Sequence, residues 1–528
     1  MNVLIMDLTH GGIILALEIA KLDIFKEIWA WDIYQTASKE QKMILQKNGI
    51  LLIDSEFKKS KSLESKEDLK SFLSLNNPDF QKNDDIKIIS PVHCPINIKP
   101  DFSHHQAIKL ILDNSEKLKI ENNYFRKNLK GKYSLNFDEN SKEKSKEIPI
   151  IEVTGVKGKT SAVGMLKQIF APYRPLILSS LGAEIFENNE RVRNSEIVSE
   201  SIILKKNISI TPASIIETIN LAENNDYGIC IFETSLGATG MADVGLLTNI
   251  IEDYSIASKK SRASLAKEQI FQSRMICGEY ETLQKYYSHL KPDLKNRMNT
   301  FSFNKTNQSN LCLTDVEYGL TKSIIGLKTH DLKTINGEIL NGDFSVETFA
   351  PSPYQVENVL AAVSCALTLG INPNNVKKGL KNFSGLDGRS SIKKFDNLNI
   401  IEEINPGINV KAIENAIKMS MELENPAIIL GGQYGITCEE INEIKAAELL
   451  EKMFYNKNSE AHNNSNSIPK KKISLILTNE LGLGIKENMD YNPPHFCDPQ
   501  EAIQFAMDNG KKNIVFIYRS NYANLKQR

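Results

Sequence analysis

Residues 150–170, IIEVTGVKGKTSAVGMLKQIF, run a β-branched segment straight into a glycine turn and then an apolar helical pattern. The turn ends in Gly158-Lys159-Thr160, as nucleotide phosphate loops do, yet Val153 stands where the common G-x-x-x-x-G-K-[ST] spelling has its first glycine. Phosphate binding needs inward-facing backbone N–H groups at a helix N-terminus and glycines where side chains would block the approach. It also needs a lysine for the β/γ-phosphates and a hydroxyl for Mg²⁺. Thr154, Gly155, Val156, Lys157, Gly158, Lys159, Thr160 and Ser161 supply all four between a strand and a helix. An isolated G-K-T is common and an ordinary strand-to-helix turn is the bland alternative; the strand–loop–helix context favours an ATP site.

Working outward, 528 residues are too many for one core, and domains of roughly 100–200 residues predict about three. With 41% hydrophobic and 24% charged residues the composition is that of a globular protein. A formal net charge of -1 offers no basic field for nucleic acid or an anionic membrane. The seven cysteines are scattered, odd in number and without a C-x-x-C pair, which predicts reduced thiols rather than a disulfide framework or a zinc site. The opening MNVLIMDLTHGG lacks a basic lead and carries Asp7 in its apolar run, so it reads as a first strand. No run approaches the roughly 18 apolar residues of a membrane span, and a cytoplasmic location is the expectation.

Three α/β segments follow from the alternation of short apolar runs with helical stretches. Residues 1–131 carry NVLIMDL, IWAWDIY and DIKIISPVH as strands, and the polar stretch 132–147 reads as a linker. Residues 148–385 hold the glycine loop at the carboxyl edge of an expected parallel sheet. Residues 386–528 add LNIIEEI, AIILGG, ISLILT and NIVFIYR, interrupted at 456–472 by NKNSEAHNNSNSIPKKK, too polar to pack.

The shortened T-G-x-x-G-K-[ST] loop resembles that of the Mur ligase family, and five further motifs resemble it in order over residues 148–528. They are FETSLGATGMADVGLLTNIIEDY (232–254), RASLAKEQIF (262–271), YQVENVLAAVSCALTLGI (354–371), LDGRSS (386–391) and INPGINVKAIENAI (404–417). The resemblance implies a three-domain α/β architecture with a central P-loop ATPase domain between Rossmann-like flanking domains. It implies ATP-dependent joining of a carboxylate through an acyl phosphate, with ADP released. Residue by residue, it implies Lys159 on the β/γ-phosphates, Thr160 and Glu233 on Mg²⁺, and Lys267 as a carbamylated metal ligand. It likewise implies Asn249 at the strand-end motif, Asn358 on the nucleotide, and Arg389 and Asn405 from the C-terminal region. Each has a plain alternative: a solvated carboxylate for Glu233, a solvated amine for Lys267, helix packing for Asn358, a surface ion pair for Arg389. The chain departs from the family at Asp253-Tyr254, where many relatives carry a histidine second, and at 401–404, where it reads Ile-Glu-Glu-Ile before Asn405.

In the N-terminal segment no glycine-rich dinucleotide signature is present. The strand-end loops DLTHGG (7–12), WDIYQT (31–36) and SPVHCP (90–95) stand where α/β proteins bind ligands. His10, Gly11, Gly12, Trp31, Asp32, His93 and Cys94 are the expected pocket residues, with a metal site at the histidines and Cys94 as a lesser alternative. These loops, with EVTGVKGKTS, resemble the archaeal Mur-ligase-like branch that makes coenzyme F(430). That resemblance implies a small-molecule substrate, a nickel-tetrapyrrole seco-acid, whose propionate is phosphorylated and attacked within the same molecule to close a carbocycle. An amide ligase acting on a peptide, pseudomurein or folate-like acceptor, or a non-catalytic ATP-binding regulator, are the alternatives.

Overall fold

The computed structural model describes residues 1–9, 11–53, 63, 65–76, 80, 85–91, 94, 96, 98–108, 148–193, 196–235, 237–256, 261–290, 294, 296–304, 309–319, 322–386, 389–395, 398–404, 408–421, 423–435, 441–454 and 474–520. The expected linker 132–147 and insertion 456–472 lie outside them.

A first sheet joins β1 (Asn2–Met6), β2 (Ile28–Trp31), β3 (Ile50–Ile53), β4 (Ile86–Ser90) and β5 (Phe102–Ser103) in the order β3-β2-β1-β4-β5, every pair parallel. Helices α1 (Gly12–Lys21), α2 (Lys39–Lys47) and α3 (Lys66–Asn76) accompany it. β1 is buried along its whole length, as a strand covered on both faces must be. On one face Leu4, Met6, Trp29 and Trp31 form a core with Leu69 and Leu73 of α3. On the other, Val3 and Ile5 pack with Leu15 and Ile19 of α1 into a core that continues through Leu176, Ile216 and Phe232 of the following region.

That region holds an eleven-stranded sheet. Its parallel centre is β6 (Ile150–Thr154) between β10 (Cys230–Glu233) and β11 (Val244–Leu247), extended by β7 (Leu176–Ser179) on one side and β14 (Met275–Glu279), β15 (Met298–Ser302) and β16 (Leu311–Glu317) on the other. An antiparallel ribbon, β8 (Gly182–Arg193) and β9 (Glu196–Lys205), closes one edge, and β17 (Ser323–Lys333) and β18 (Ile339–Thr348) the other. A two-stranded ribbon, β12 (Ser255–Ile256) with β13 (Ser261–Arg262), stands apart. The helices are α4 (Lys159–Ile169), α5 (Ala213–Leu221), α6 (Ala263–Lys267), α7 (Tyr280–Tyr287), α8 (Pro353–Thr368) and α9 (Pro373–Lys381). Register decides where the chemistry can sit: Glu233 pairs with Val153 and Leu247 with Thr154, so three strand ends finish level.

The third sheet orders β19 (Arg389–Phe395), β20 (Leu398–Ile404), β24 (Asn513–Arg519), β21 (Pro426–Gly432), β22 (Ser474–Thr478) and β23 (His495–Phe496). Only β19 runs antiparallel within it. α10 (Val410–Ser420), α11 (Glu443–Phe454) and α12 (Asn479–Glu487) share one of its cores, and α13 (Pro499–Asp508) the other.

The three large sheets lie along the chain in order, and compactness divides the chain in two. One unit comprises Met1–Asp315, Ile325–Val346 and Glu357–Lys381, and the other Val316–Ile324, Glu347–Val356 and Asn382–Arg528. The shared core described above is why the first two segments form one body. Trp31 belongs to that body's interior, fully buried with its ring stacked on Phe72 at 5.3 Å. Trp31→Ala is therefore expected to cost about 3–5 kcal/mol of stability, read by chemical denaturation and amide exchange in β1–β4, with substrate affinity of the folded fraction unchanged.

Candidate active site

β6 delivers Thr154 to the carboxyl edge of the central sheet, and α4 begins five residues later, after a turn through Gly155 (φ 145°) and Gly158 (φ 83°). Gly155 admits no side chain, because a Cβ there would lie 2.0 Å from Thr248 Oγ1. Val153, the departure from the common spelling, is fully buried inside β6, so the loop starts after it. Asn249 braces the turn twice: its carbonyl accepts from Val156 N–H at 2.9 Å and its Oδ1 from Lys157 N–H at 3.1 Å. Thr248 Oγ1 donates to the Lys157 carbonyl at 2.6 Å. The Lys159 ammonium folds back over the loop, donating to the carbonyls of Gly155 (3.1 Å) and Val156 (3.4 Å). First-turn N–H groups of α4 have no acceptor within their own helix, and together with the lysine they make this end electropositive.

Glu233, ending β10, is 1% exposed. Its Oε1 accepts from Thr160 Oγ1 at 3.0 Å and its Oε2 from Ser180 N–H at 3.0 Å. Thr160 and Ser180 hydroxyls lie 3.0 Å apart. A carboxylate and two hydroxyls are the hard oxygen donors that suit Mg²⁺. Lys267 ends α6 with 1% exposure, which removes the solvated-amine alternative. Its helix is fixed by Asp253, whose carboxylate accepts from Ser264 N–H (2.8 Å) and Oγ (3.0 Å), and by Tyr287 Oη donating to the Ser264 carbonyl at 2.6 Å. A residue the motifs did not expose is Glu152. Buried in β6, it accepts from the N–H groups of Thr239 (3.0 Å) and Gly240 (3.2 Å) and from the Thr239 hydroxyl, pinning the loop that follows Glu233. A glutamate among the β-branched residues of IIEVT was the available signal.

Residues 392–521 match the family model of the coenzyme F430 synthetase CfbE C-terminal domain. The chain is 29% identical over 456 residues to the coenzyme F(430) synthetase of Methanocaldococcus jannaschii, covering 85% of this chain and 88% of that one. It is 26% identical over 477 residues to the protein of the same name from Methanosarcina acetivorans, covering 85% and 87%. In fold, it is similar to MurF of Acinetobacter baumannii, with a TM-score of 0.51 at 13% identity over 88% of each chain. The chain is an ATP-dependent, ADP-forming ligase.

Around the ligase's central loop, other expected residues fall in several places. Ser161 lies in the first turn of α4 and is buried. Asn358 is 1% exposed in α8. Next to it, burial and then the charge of Glu281 push the Glu357 carboxyl up to about 7. Burial and a hydrogen bond with Glu281 likewise push Glu279 up to about 7. Arg389 opens β19 in the other compact unit, and Asn405 lies outside the described residues, as do His10 and His93. No helix among the described residues is long and apolar enough to cross a membrane.

The structure gives the described residues of the expected N-terminal pocket packing and turn contacts. Trp31 is in the core for the reason given above. Cys94 is buried in that same apolar cluster. Asp32 accepts from Thr36 N–H (3.1 Å) and Ala37 N–H (3.0 Å), holding its own turn. Gly11 and Gly12 serve close packing: a Cβ on Gly11 would meet Ala213 Cβ at 2.5 Å, and one on Gly12 the Asp7 carbonyl at 2.1 Å. The described residues of this region that line a cavity are instead Ser103, His105 and Gln106. Their signal was the histidine doublet in FSHHQ, which the strand-loop reading passed over.

Asn249→Ala should leave a buried loop N–H without its acceptor, about 1–3 kcal/mol, and raise KM for ATP roughly tenfold to a hundredfold in steady-state assays; an unchanged KM would remove the bracing role. Glu357 gives a pH prediction. The folded chain holds its proton up to about 7 against an ordinary 4.5, so the associated stability is complete below 4.5 and lost as pH rises through 7. Glu357→Gln should therefore melt increasingly above the wild type as scanning calorimetry moves from pH 4 to pH 8.

Proposed function

We propose that this ligase activates a propionate carboxylate of a nickel-tetrapyrrole seco-acid as its acyl phosphate and closes the last carbocyclic ring, giving coenzyme F(430), ADP and phosphate. The observation that carries the reading is the extent of the likeness. Similarity to the two proteins named coenzyme F(430) synthetase covers 85% of the chain, more than residues 148–528 amount to, so it reaches into the N-terminal region. That is where the two ends of such an enzyme must differ from an amide ligase, because ATP handling is common to both.

In this reading the loop from Thr154 to Ser161 cradles the ATP phosphates and Lys159 swings from the Gly155 and Val156 carbonyls onto the β/γ-phosphates. Asn249 keeps the loop in its binding shape and Asn358 meets the adenine, and the family resemblance assigns Arg389 and Asn405 to the nucleotide as well. Thr160 and Glu233 would hold Mg²⁺, joined by Lys267 if carbamylated, since an amine alone is a poor magnesium ligand. The metal when bound supplies charge neutralisation at the transferred phosphoryl group. After phosphoryl transfer to the propionate, attack from within the same molecule needs no second substrate, and proximity contributes up to roughly 7–11 kcal/mol in good cases.

The test is ADP release by the purified chain with Mg²⁺-ATP, comparing the nickel seco-acid with a panel of amino acids plus peptide acceptors. Release only with the tetrapyrrole, with a product lighter than the precursor by one water, is expected. Release only with an amino acid and acceptor would overturn the substrate while leaving the ATP site. Lys159→Ala should abolish release with the circular dichroism spectrum retained; unchanged turnover would overturn the loop's role.

A further inference from the structure

His104 and His105 follow β5 at the edge of the first sheet, both buried, and turn to different neighbours. His104 packs against the Gly12 turn, its Cε1 3.5 Å from where a Cβ on Gly12 would stand. His105 faces the central region: its Nε2 would lie 3.2 Å from a Cβ on Gly237, a point itself 2.1 Å from the Ala266 carbonyl oxygen. The imidazole thus lies against the loop that follows Glu233, at the point where that loop closes on the residue before Lys267. It also lines, with Gln106, Ala266, Gln269 and Arg297, a cavity of about 690 Å³, within the size range of ligand sites. His105 is 5% exposed, whereas the other imidazole on this cavity, His289, is 65% exposed with its Nε2 3.7 Å from Glu268.

Closing a carbocycle makes a chemical demand that phosphoryl transfer does not. A carbon carrying a proton must become the nucleophile, and something must take that proton. We propose that His105 is the base for ring closure, an inference that rests on the tetrapyrrole reading above. The nucleophilic carbon bonds to the acyl carbon, the acyl carbon–oxygen bond breaks with its electron pair leaving on phosphate, and the carbon's proton passes to His105 Nε2. Imidazole is suited to this because its ordinary pKa lies near neutrality. Its buried imidazole lines a cavity together with Ala266, next to Lys267, and lies against the loop that follows Glu233, close in the fold to the segments that carry two of the residues proposed above to hold the metal.

The experiment separates the two half-reactions in the full-length chain given the nickel seco-acid and Mg²⁺-ATP. Acyl phosphate is trapped with hydroxylamine, and ring closure is followed by the loss of one water in mass. His105→Gln is expected to keep trapping within about twofold of wild type while closure falls on the order of 10²–10⁴-fold. Added imidazole should restore part of closure in His105→Ala. Trapping and closure falling together, closure unchanged, or both variants failing to fold would each overturn the base assignment. Wild-type protein that yields neither trapped acyl phosphate nor product from the seco-acid would overturn the tetrapyrrole reading itself, a result distinct from a defect confined to the variants.

Discussion

Everything in the site depends on β6 being paired in parallel register between β10 and β11. Because Glu233 stands opposite Val153 and Leu247 opposite Thr154, residues about 80 and 94 positions away in the chain arrive level with the phosphate loop. From there Glu233 reaches Thr160 and Asn249 reaches the backbone of Val156 and Lys157. A one-residue slip of either neighbour would turn its alternate side chains to the other face and dismantle the contact that strand supplies. The missing glycine is explained by the same register. Val153 is a paired, buried strand residue, and the turn that needs freedom from side chains begins at Gly155, where Thr248 already occupies the space.

The central loop was legible in the sequence because its signals are local. Strand, glycines, lysine, hydroxyl and helix follow one another within twenty residues, and no distant contact is needed to interpret them. Lys267 was half legible: its motif marked the position, but only the packing of α6 under Asp253 and Tyr287 removes it from solvent. The packing of the N-terminal strand-end residues was not legible, for a definable reason. Alternation along β2 sends Trp31 into the core formed with α3, and the polar Asp32 spends its oxygens on its own turn. Large or polar residues at a strand's end look alike in sequence whether they face a ligand or the neighbouring helix. His105 went unnoticed because its significance lies in standing beside Gly237 and sharing a cavity with Ala266, both more than a hundred residues away.

Counting strand–helix alternations yields three α/β segments, but apolar periodicity cannot say which segment the second face of a helix will cover. Here α1 and α5 bury Leu15, Ile19, Ala213 and Ile216 in one continuous core. Separating the first two sheets would expose that surface, at about 25 cal/mol for each Å². The C-terminal sheet is enclosed by its own helices on both faces.

Two buried glutamates stand one register position apart on adjacent strands, on opposite faces of the central sheet, and their hydrogen bonds assign them different work. Glu152 accepts two backbone N–H groups and a hydroxyl, all from one loop, and moving any of them would leave a buried charge short of partners. It is a strut. Glu233 accepts one N–H and the hydroxyl of Thr160, and a hydroxyl differs from an amide in being able to donate while its lone pairs turn elsewhere. Thr160 can therefore keep its bond to Glu233 and offer oxygen to a cation, without the reorganisation that a backbone donor would require. The strand pairing that brings both carboxylates to one edge thus produces a rigid loop beside an adaptable oxygen pair.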